Sequence, residues 1–330
     1  MVLVTGAAGH IGNVLVRELL AHEYKVRVLI LPGEDISALE ELDVEMFYGN
    51  VLESATLDTA MHGVEYVFHL AGIISIMPGK GDLMRRVNVE GTKNVLQAAR
   101  RAGVKRLVYT SSIHALSRNW EGTISEKVPF DADNCAGEYD RTKAQASLAV
   151  LHAVEEGLDA VIVCPTGVIG PFDYCGSEMG EMVREWMQRK MHMLIEGAYD
   201  FVDVRDVARG HWLACERGRK GNTYILSGHQ IQLFQLKEFV QKVIDFNTPT
   251  WFVPIWMAKI GASISPLYYR LTRRTPKFTK YMLKTIKSNS VISNAKACRE
   301  LEYKARPVIK TITDTVKWMQ RRQAFKRSND

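Results

Sequence analysis

Short apolar runs alternate with segments of helical periodicity through the first half of the chain. The apolar runs predict six strands, at residues 2–5, 25–31, 44–48, 66–72, 106–112 and 160–164. Between them, apolar residues recur every three or four positions, which predicts helices at residues 11–20, 54–61, 82–101 and 138–156. This alternation predicts an α/β fold, a doubly wound parallel sheet with right-handed crossovers.

The regular alternation ends near Pro165, and the second half of the chain has a looser pattern. It predicts one strand at residues 223–227 and helices at 204–216, 233–246, 293–301 and 309–321. We therefore expect a first domain at residues 1–170 and a smaller, mostly helical lobe at 171–330. A segment of about residues 200–228 is expected to return to the first domain.

Three glycines follow the first strand at intervals of three residues. Gly6 permits a tight turn, Gly9 lets the backbone approach a pyrophosphate, and Gly12 lets the next helix pack closely on the sheet. The N-terminus of that helix offers free N–H groups and the positive end of its dipole to phosphate. An ordinary helix-opening turn is the alternative, and the place of these glycines after a first strand favours a dinucleotide site.

A tyrosine and a lysine with helical spacing are the candidate proton-transfer pair. Tyr139 and Lys143 lie four residues apart and are expected on one face of a helix. A cation beside a phenol lowers the pKa of the phenol, so Tyr139 can exchange a proton with an alcohol or ketone. Ser112, at the end of a predicted strand, can share the charge that develops on the same oxygen.

These motifs resemble those of the extended short-chain dehydrogenases/reductases, which include nucleotide-sugar epimerases, dihydroflavonol reductases and 3β-hydroxysteroid dehydrogenases. The resemblance covers nearly the whole chain, at residues 5–12, 69–72, 88–92, 108–112, 165–171, 201–208 and 293–303. It implies a Rossmann fold with NAD or NADP as cofactor, and Ser112, Tyr139 and Lys143 as catalytic residues, with Ser111 as the alternative serine. The cofactor-binding residues that it implies are Gly6, Gly9, His10, Ile11, Gly12, Asn50, Val51, Leu70, Ala71, Gly72, Asn88, Pro165, Thr166, Gly167 and Val168.

The end of the second strand departs from the pattern of this family. Leu31 stands where an acidic residue would hold the ribose hydroxyls of NAD, or an arginine would favour the 2′-phosphate of NADP. The nearest charges downstream are Glu34 and Asp35, which oppose a 2′-phosphate. We therefore expect NAD rather than NADP. The alternative is that Arg27 or the turn backbone binds the 2′-phosphate of NADP.

The expected reaction interconverts a secondary alcohol and a ketone on a mostly apolar small molecule, as in dihydroflavonol reductases. The alternative is a nucleotide-sugar epimerase or dehydratase with tightly bound NAD, whose diphosphate would need cations such as Arg184, Arg189 or those at 270–287. The segment 164–172 has neither a cation nor an asparagine for such a substrate. Apolar residues of the second half suit a ring-shaped or acyl substrate: Phe172, Tyr174, Met179, Met182, Trp186, Met187, Trp251, Phe252 and Trp256.

The composition indicates an ordinary globular protein with a small basic excess. The chain has 43 Lys and Arg against 37 Asp and Glu, a net charge of +6. The excess lies at residues 270–287 and 321–327, which we interpret as solvated faces; an anionic or membrane surface is the less favoured alternative. Residues 251–271 are interpreted as core and surface of the second lobe.

The cysteines and the lengths of the apolar runs bear on metal binding, location and membrane-spanning helices. The five cysteines are widely spaced without a metal-ligand pair, so we expect reduced thiols, no metal and a cytoplasmic location. No apolar run reaches 18 residues, so no membrane-spanning helix is expected. We expect a small-molecule substrate and no nucleic-acid partner, and a homodimer by analogy with similar folds.

Several polar residues near the motifs have two interpretations. His10 is expected beside the phosphates rather than as a base, and His69 as a packed strand-end residue. His114 and Trp120 either line the substrate pocket or pack under a loop. Asp203 and Asp206 are expected to form structural ion pairs with Arg205 and Arg209 rather than to act in catalysis.

Overall fold

The computed structural model describes residues 1–74, 80–272, 280–286 and 290–329. Its strands are β1 Val2–Thr5, β2 Val26–Ile30, β3 Glu45–Tyr48, β4 Tyr66–His69, β5 Arg106–Thr110, β6 Ala160–Pro165, β7 Gly167–Ile169, β8 His192–Leu194, β9 Ala198–Asp203, β10 Thr223–Leu226, β11 His229–Gln232 and β12 Thr250–Phe252. Its helices are α1 His10–Ala21, α2 Ser54–Ala60, α3 Gly81–Arg85, α4 Thr92–Ala102, α5 Glu138–Glu155, α6 Glu178–Trp186, α7 Val204–Arg217, α8 Leu233–Val243, α9 Ile255–Thr272, α10 Lys280–Ile286, α11 Ala295–Leu301 and α12 Val308–Asn329. Of the predicted basic clusters, Arg273, Arg274, Lys277 and Lys287 lie outside the described residues.

A seven-stranded parallel sheet forms the centre of the molecule and confirms the predicted fold class. The strand order is β10-β6-β5-β4-β1-β2-β3. The order reverses beside β1, since β1 pairs with β2 on one side and with β4 on the other. In sheets of this kind, ligands bind outside the carboxyl ends of the strands, next to this reversal.

Alternating side chains of the strands pack into two cores, one on each face of the sheet. Val2 and Val4 of β1 join the core that contains residues of α1 and α7. Leu3 points to the other face and joins the core that contains residues of α2, α4 and α5. Helices therefore cover both faces, as strands composed almost wholly of apolar residues require.

The second lobe contains two small sheets that the sequence pattern did not predict. Strands β11, β9 and β7 form one sheet, and β12 and β8 form the other. These strands have three to six residues and show no sustained alternation of apolar and polar positions, so the sequence pattern does not predict them. Strand β10 leaves the lobe and pairs with β6 in the central sheet.

The helix predicted at 82–101 contains a change of register. Between α3 and α4 lies a π-helical turn, Arg86–Gly91, which includes the buried Asn88. Turns of this type are rare and recur at functional sites. The turn packs against α5, and its Asn88 contacts Ile73 in the segment after β4.

Helix α1 packs closely on the turn that precedes it. Gly6 has φ +69°, a left-handed conformation that favours glycine, and a Cβ on Gly12 would lie 2.1 Å from the carbonyl oxygen of Gly6. The glycine turn therefore has the geometry that the sequence predicts, with the backbone of α1 against the end of β1.

The substitution Gly12→Ala is expected to destabilise the fold. Its Cβ would also lie 2.8 Å from the Cα of Ala7, so backbone must shift to accommodate it. We expect the free energy of unfolding to fall by about 1–3 kcal/mol, as for other overpacked sites. Chemical denaturation followed by circular dichroism measures the change.

Gly261→Ala is the matched control, because it makes the same substitution in a helix. A Cβ on Gly261 meets nothing within 4 Å. Alanine should raise stability there by up to about 1 kcal/mol through helix propensity. Equal effects of the two substitutions would contradict the close packing at Gly12.

Candidate active site

The turn between β1 and α1 leaves an uncapped helix N-terminus at the carboxyl edge of the sheet. Gly9 is the N-cap residue of α1; it provides no side-chain cap, and the first turn contains no acidic residue. A Cβ on Gly6 would lie 2.7 Å from the amide nitrogen of Ala71, so the turn lies directly against Leu70 and Ala71. The free N–H groups of α1 fit the pyrophosphate of a dinucleotide.

Residues after β6 close over this turn. The Nε2 of His10 lies 3.0 Å from the carbonyl oxygen of Pro171, and burial lowers the pKa of His10. The Nδ2 of Asn13 donates to the carbonyl oxygen of Phe172 at 3.1 Å. These contacts hold the segment after Thr166 beside the predicted cofactor turn.

Thr166 and Gly167 are held by the small sheet of the second lobe. The hydroxyl of Thr166 donates to Oδ1 of the buried Asp200 at 2.6 Å. A Cβ on Gly167 would lie 2.7 Å from the ring of Tyr199. The segment Pro165–Val168 thus joins the central sheet to the lobe at its carboxyl edge.

At the carboxyl ends of β2 and β3, the edge of the sheet carries a carboxylate and an amide. The Oε2 of Glu34 accepts the backbone N–H of Leu31 at 3.0 Å, which places an acidic group at the end of β2. After β3, the Oδ1 of Asn50 accepts the N–H of Leu52 at 2.9 Å, and Val51 is buried. The carboxylate of Glu34 therefore lies against the backbone of Leu31.

Asn88 joins the end of β4 to helix α5. Its Oδ1 accepts the N–H of Ile73 at 2.7 Å, and its Nδ2 donates to the Ile73 carbonyl oxygen at 3.0 Å. The same Nδ2 donates to Oγ1 of Thr142 at 3.1 Å. A Cβ on Gly72 would lie 3.2 Å from Asn88 Oδ1 and 3.4 Å from Lys143 Nζ, so Gly72 leaves room for both.

Lys143 is buried on α5 and points to the end of β5. Its Nζ donates to the carbonyl oxygen of Thr110 at 2.7 Å and lies 5.1 Å from the centre of the Tyr109 ring. Burial lowers the pKa of Lys143 to about 8. The ammonium group is therefore held in place by a carbonyl oxygen and an aromatic face, without a carboxylate.

Tyr139 is buried one turn before Lys143, and its acidity differs from the prediction. Burial raises the pKa of Tyr139 to about 12, and its interaction with the Ser112 hydroxyl opposes that rise only in part. Desolvation rather than Lys143 therefore sets this pKa. At neutral pH Tyr139 is thus a protonated phenol that can donate.

Of the two candidate serines, the structure favours Ser112 as the partner of Tyr139. Ser111 Oγ lies 2.6 Å from Oγ of Ser147, which in turn donates to the carbonyl oxygen of Lys143. Ser112 begins a 3-10 turn, and its Oγ accepts the N–H of His114 at 3.2 Å. The hydroxyl of Ser111 is therefore already hydrogen-bonded to Ser147 of α5, whereas the hydroxyl of Ser112 interacts with Tyr139.

A buried ion pair next to Tyr139 was not predicted from the sequence. The Nε of Arg118 donates to Oδ2 of Asp140 at 2.7 Å, and the hydroxyl of Tyr281 donates to Oδ1 of Asp140 at 2.6 Å. Burial raises the pKa of Asp140, and Arg118 opposes that rise. Because Tyr281 lies 141 residues after Asp140, no local pattern could reveal this cluster.

His114 lies between Tyr139 and this cluster. Its Nδ1 accepts from Arg118 at 2.8 Å, which assigns the proton to Nε2, 2.7 Å from the hydroxyl of Tyr199. Burial lowers the pKa of His114 to about 3, so the ring is neutral. Trp120, in contrast, is exposed.

Three aromatic rings surround His114 at the face that Tyr139 occupies. Ring centres lie 6.4 Å away for Tyr139, 6.0 Å for Tyr199 and 6.1 Å for Tyr281. Tyr281 also fills the space beside Gly137, where a Cβ would lie 2.9 Å from its ring. The wall beside the candidate proton donor is therefore aromatic.

The apolar residues considered for an apolar substrate lie in three different settings. Trp186 is in the core of the second lobe, with Met179, Met182 and Met187 packed against that core. The rings of Phe172 and Tyr174 contact Trp318. The other three residues, Trp251, Phe252 and Trp256, are exposed.

Two further polar predictions have clear outcomes. His69 is buried, with Nδ1 2.7 Å from Thr5 Oγ1 and Nε2 3.0 Å from Thr92 Oγ1, so it is a packed strand-end residue as expected. Asp203 pairs with Arg205 at 2.7 Å as predicted. The pairing predicted between Asp206 and Arg209 is wrong, because Asp206 pairs with Arg306 at 2.7 Å.

Comparison with known proteins identifies relatives over the full length of this fold. The model of the NAD dependent epimerase/dehydratase family matches residues 2–227. Sterol demethylase protein B of Methylococcus capsulatus is 34% identical over 322 residues, which are 97% of this chain and 98% of that protein. The 3 beta-hydroxysteroid dehydrogenase type 7 of Mus musculus is 29% identical over 362 residues, covering 96% and 95% of the two chains.

A solved structure has the same fold. The crystal structure of gox2253 superposes with a TM-score of 0.84 at 32% identity, and the match covers 98% of each chain. The likeness extends over both the central sheet and the second lobe.

Removing the cation of the buried ion pair is expected to destabilise the fold in a pH-dependent way. Arg118→Met leaves the Asp140 carboxylate buried without its cation, at a cost of about 3–5 kcal/mol near neutral pH. Loss of Arg118 raises the pKa of Asp140 further. The variant should therefore regain part of the loss as pH falls and Asp140 becomes protonated. Denaturant unfolding at pH 7 and pH 5 measures both effects.

Arg101→Met is the control, because the pair between Arg101 and Asp58 is exposed. Its loss should cost less than about 1 kcal/mol, with little change between the two pH values. A similarly small, pH-independent effect of Arg118→Met would contradict the buried ion pair.

Proposed function

The chain belongs to the NAD-dependent epimerase/dehydratase family and is an NAD(P)-dependent dehydrogenase or reductase of the extended short-chain type, and we propose that it interconverts a secondary alcohol and a ketone on a mostly apolar substrate. The carrying observation is the placement of Tyr139 beside Ser112 at an aromatic wall on the carboxyl edge of the sheet. Sterol and steroid enzymes among its relatives support an apolar substrate.

We assign the proton transfer to Tyr139. Its raised pKa keeps the phenol protonated at neutral pH, so it can donate to the oxygen of a ketone. The hydroxyl of Ser112 shares the charge on that oxygen. In the reverse direction the phenolate form of Tyr139, which is the minor form at neutral pH, accepts the alcohol proton.

When bound, a nicotinamide cofactor would supply a hydride to the ketone carbon or accept one from the alcohol carbon. The N-terminus of α1 is assigned to its pyrophosphate, and Gly6 and Gly9 to the close approach of the backbone. Lys143 and Asn88, which both lie close to Gly72, are assigned to the nicotinamide end of the site. The same proposal includes Asn50, Val51 and the segment Pro165–Val168 along the edge.

Two of the cations considered for a sugar diphosphate, Arg184 and Arg189, have other partners, and so does Arg118 of the buried cluster. Arg184 pairs with Glu181, and Arg189 lies 4.9 Å over the ring of Phe246. Arg118 is paired with the buried Asp140. These contacts favour an apolar substrate over a nucleotide sugar.

We place the protein in the cytoplasm, whose reducing conditions suit its free cysteines. The division of the chain at residue 170 and a homodimeric state are part of the same proposal. Neither is needed for the chemistry assigned to Tyr139.

A binding screen identifies the substrate class and tests the proposed function. Purified protein with NAD is heated in the presence of UDP- and dTDP-sugars and of aromatic and alicyclic ketones. Stabilisation by ketones is expected, because the wall beside Tyr139 is aromatic. Stabilisation by nucleotide sugars alone would replace this proposal with the epimerase reaction.

Tyr139→Phe is expected to lower turnover of the substrate found by that screen by at least about 100-fold. The ring and its packing stay, and only the transferable proton is lost, so the dissociation constant of NAD should change little. Absorbance of reduced nicotinamide measures turnover, and calorimetry measures binding.

Tyr48→Phe is the matched control, because Tyr48 is exposed on β3. This substitution should leave both turnover and the dissociation constant of NAD unchanged. Turnover near the wild-type value in Tyr139→Phe would remove Tyr139 from the mechanism.

The carboxylate of Glu34 is expected to favour NAD over NADP. It lies at the end of β2, where a 2′-phosphate would meet like charge. Glu34→Gln keeps an acceptor for the Leu31 N–H and removes the charge, so the NADP-to-NAD affinity ratio should rise by up to about fivefold. Titration of both cofactors measures this ratio.

Glu155→Gln, at the exposed end of α5, is the control and should leave the ratio unchanged. Tighter binding of NADP than of NAD by the wild-type protein would reverse the proposed preference.

A further inference from the structure

Helix α9 exposes a stripe of large apolar side chains. Trp256 is 62% exposed, and Ile260 and Ile264 are each 55% exposed. Residues four apart lie on one helix face, so the three form a continuous stripe. Trp251 and Phe252, just before the helix, are also exposed. An exposed apolar surface of this kind marks an interaction site.

The other faces of α9 have different surroundings. Ala258, Ala262 and Ser265 are buried in the second lobe. Ile255, Lys259 and Ser263 line a cavity of about 620 Å³ together with Leu283 and Lys284. The cavity therefore lies along the face of α9 next to the exposed stripe.

The sequence around α9 is strongly basic. From residue 246 to residue 299 the chain contains no Asp or Glu. The same segment contains these basic residues: Lys259, Arg270, Arg273, Arg274, Lys277, Lys280, Lys284, Lys287, Lys296 and Arg299. Lys259 and Lys284 are exposed. Such a segment attracts an anionic surface.

We propose that α9 docks the enzyme on the surface of an anionic membrane. Trp256, Ile260 and Ile264 enter the interface between headgroups and acyl chains, where tryptophan is favoured. Lys259 and Lys284 contact anionic headgroups. A second copy of the chain is disfavoured as the occupant, because a symmetric contact would bring the two basic segments together.

Docking of this kind gives an apolar substrate a short route into the enzyme. Such a substrate is concentrated in the bilayer, and the cavity lies beside the docked face of α9. This link to the substrate rests on the proposed function, whereas the docking surface rests only on α9 and its charges. In the part of the chain that the structure describes, no helix could span a bilayer, so the contact is peripheral.

Sedimentation with lipid vesicles tests the docking surface. The full-length protein is mixed with phosphatidylcholine vesicles that contain or lack phosphatidylglycerol. We expect binding to the anionic vesicles that weakens at high salt, since exposed charges are screened. The triple substitution W256Q/I260Q/I264Q should weaken binding by at least about tenfold through loss of apolar burial.

Charge variants separate the electrostatic contribution from the apolar one. Lys259→Gln and Lys284→Gln should each weaken binding to anionic vesicles by about fivefold. Ile309→Gln is the control, because Ile309 is an exposed apolar residue of α12 and should not affect binding. Quenching of Trp256 by brominated lipid, absent in Trp256→Phe, places the helix in the interface.

Three results would overturn the docking proposal. These are absence of binding to anionic vesicles, equal binding by the triple variant, and a loss of dimer mass in the triple variant without vesicle binding. The last result, from analytical ultracentrifugation, would assign the stripe to a second copy. Because vesicle binding requires no turnover, its result can be interpreted even if Tyr139→Phe keeps the wild-type turnover.

Discussion

Parallel pairing of all seven central strands is the constraint on which the rest of the structure depends. Because the strands run in one direction, every carboxyl end reaches the same edge of the sheet. The helix N-terminus after β1, the glycine after β4 and the serine after β5 meet there. Residues separated by more than a hundred positions thereby form one site. The second lobe contributes by covering this edge, through β7 and β9 and through Tyr281.

Desolvation sets the protonation of that site. Tyr139 and Lys143 lie on one buried face of α5, and burial moves their pKa values apart, to about 12 and about 8. The phenol keeps its proton at neutral pH, and the ammonium group is close to losing one. A charge arriving beside them changes this balance strongly, because little water screens it.

Local sequence signals predicted the centre of the site, and long-range contacts supplied its surroundings. Gly6, Tyr139 and Lys143 were predictable because short spacings fix a turn and a helix face. The cluster of Arg118, Asp140 and Tyr281 depends on contacts between distant segments, which no periodicity records. Trp256 shows the same limit, since an apolar residue in a helical pattern does not reveal whether its face is covered.

The π-helical turn at Arg86–Gly91 stores one extra residue within a helix. It offsets the faces of α3 and α4 by about one residue, or about 100° of rotation. Deleting one residue there would give a regular α-helix. It would also turn Asn88, or the whole of α3, away from the end of β4. The irregularity is thus what lets one helix serve two partners: its α4 face packs against the sheet, and its π-helical turn presents an amide to Ile73 and Thr142.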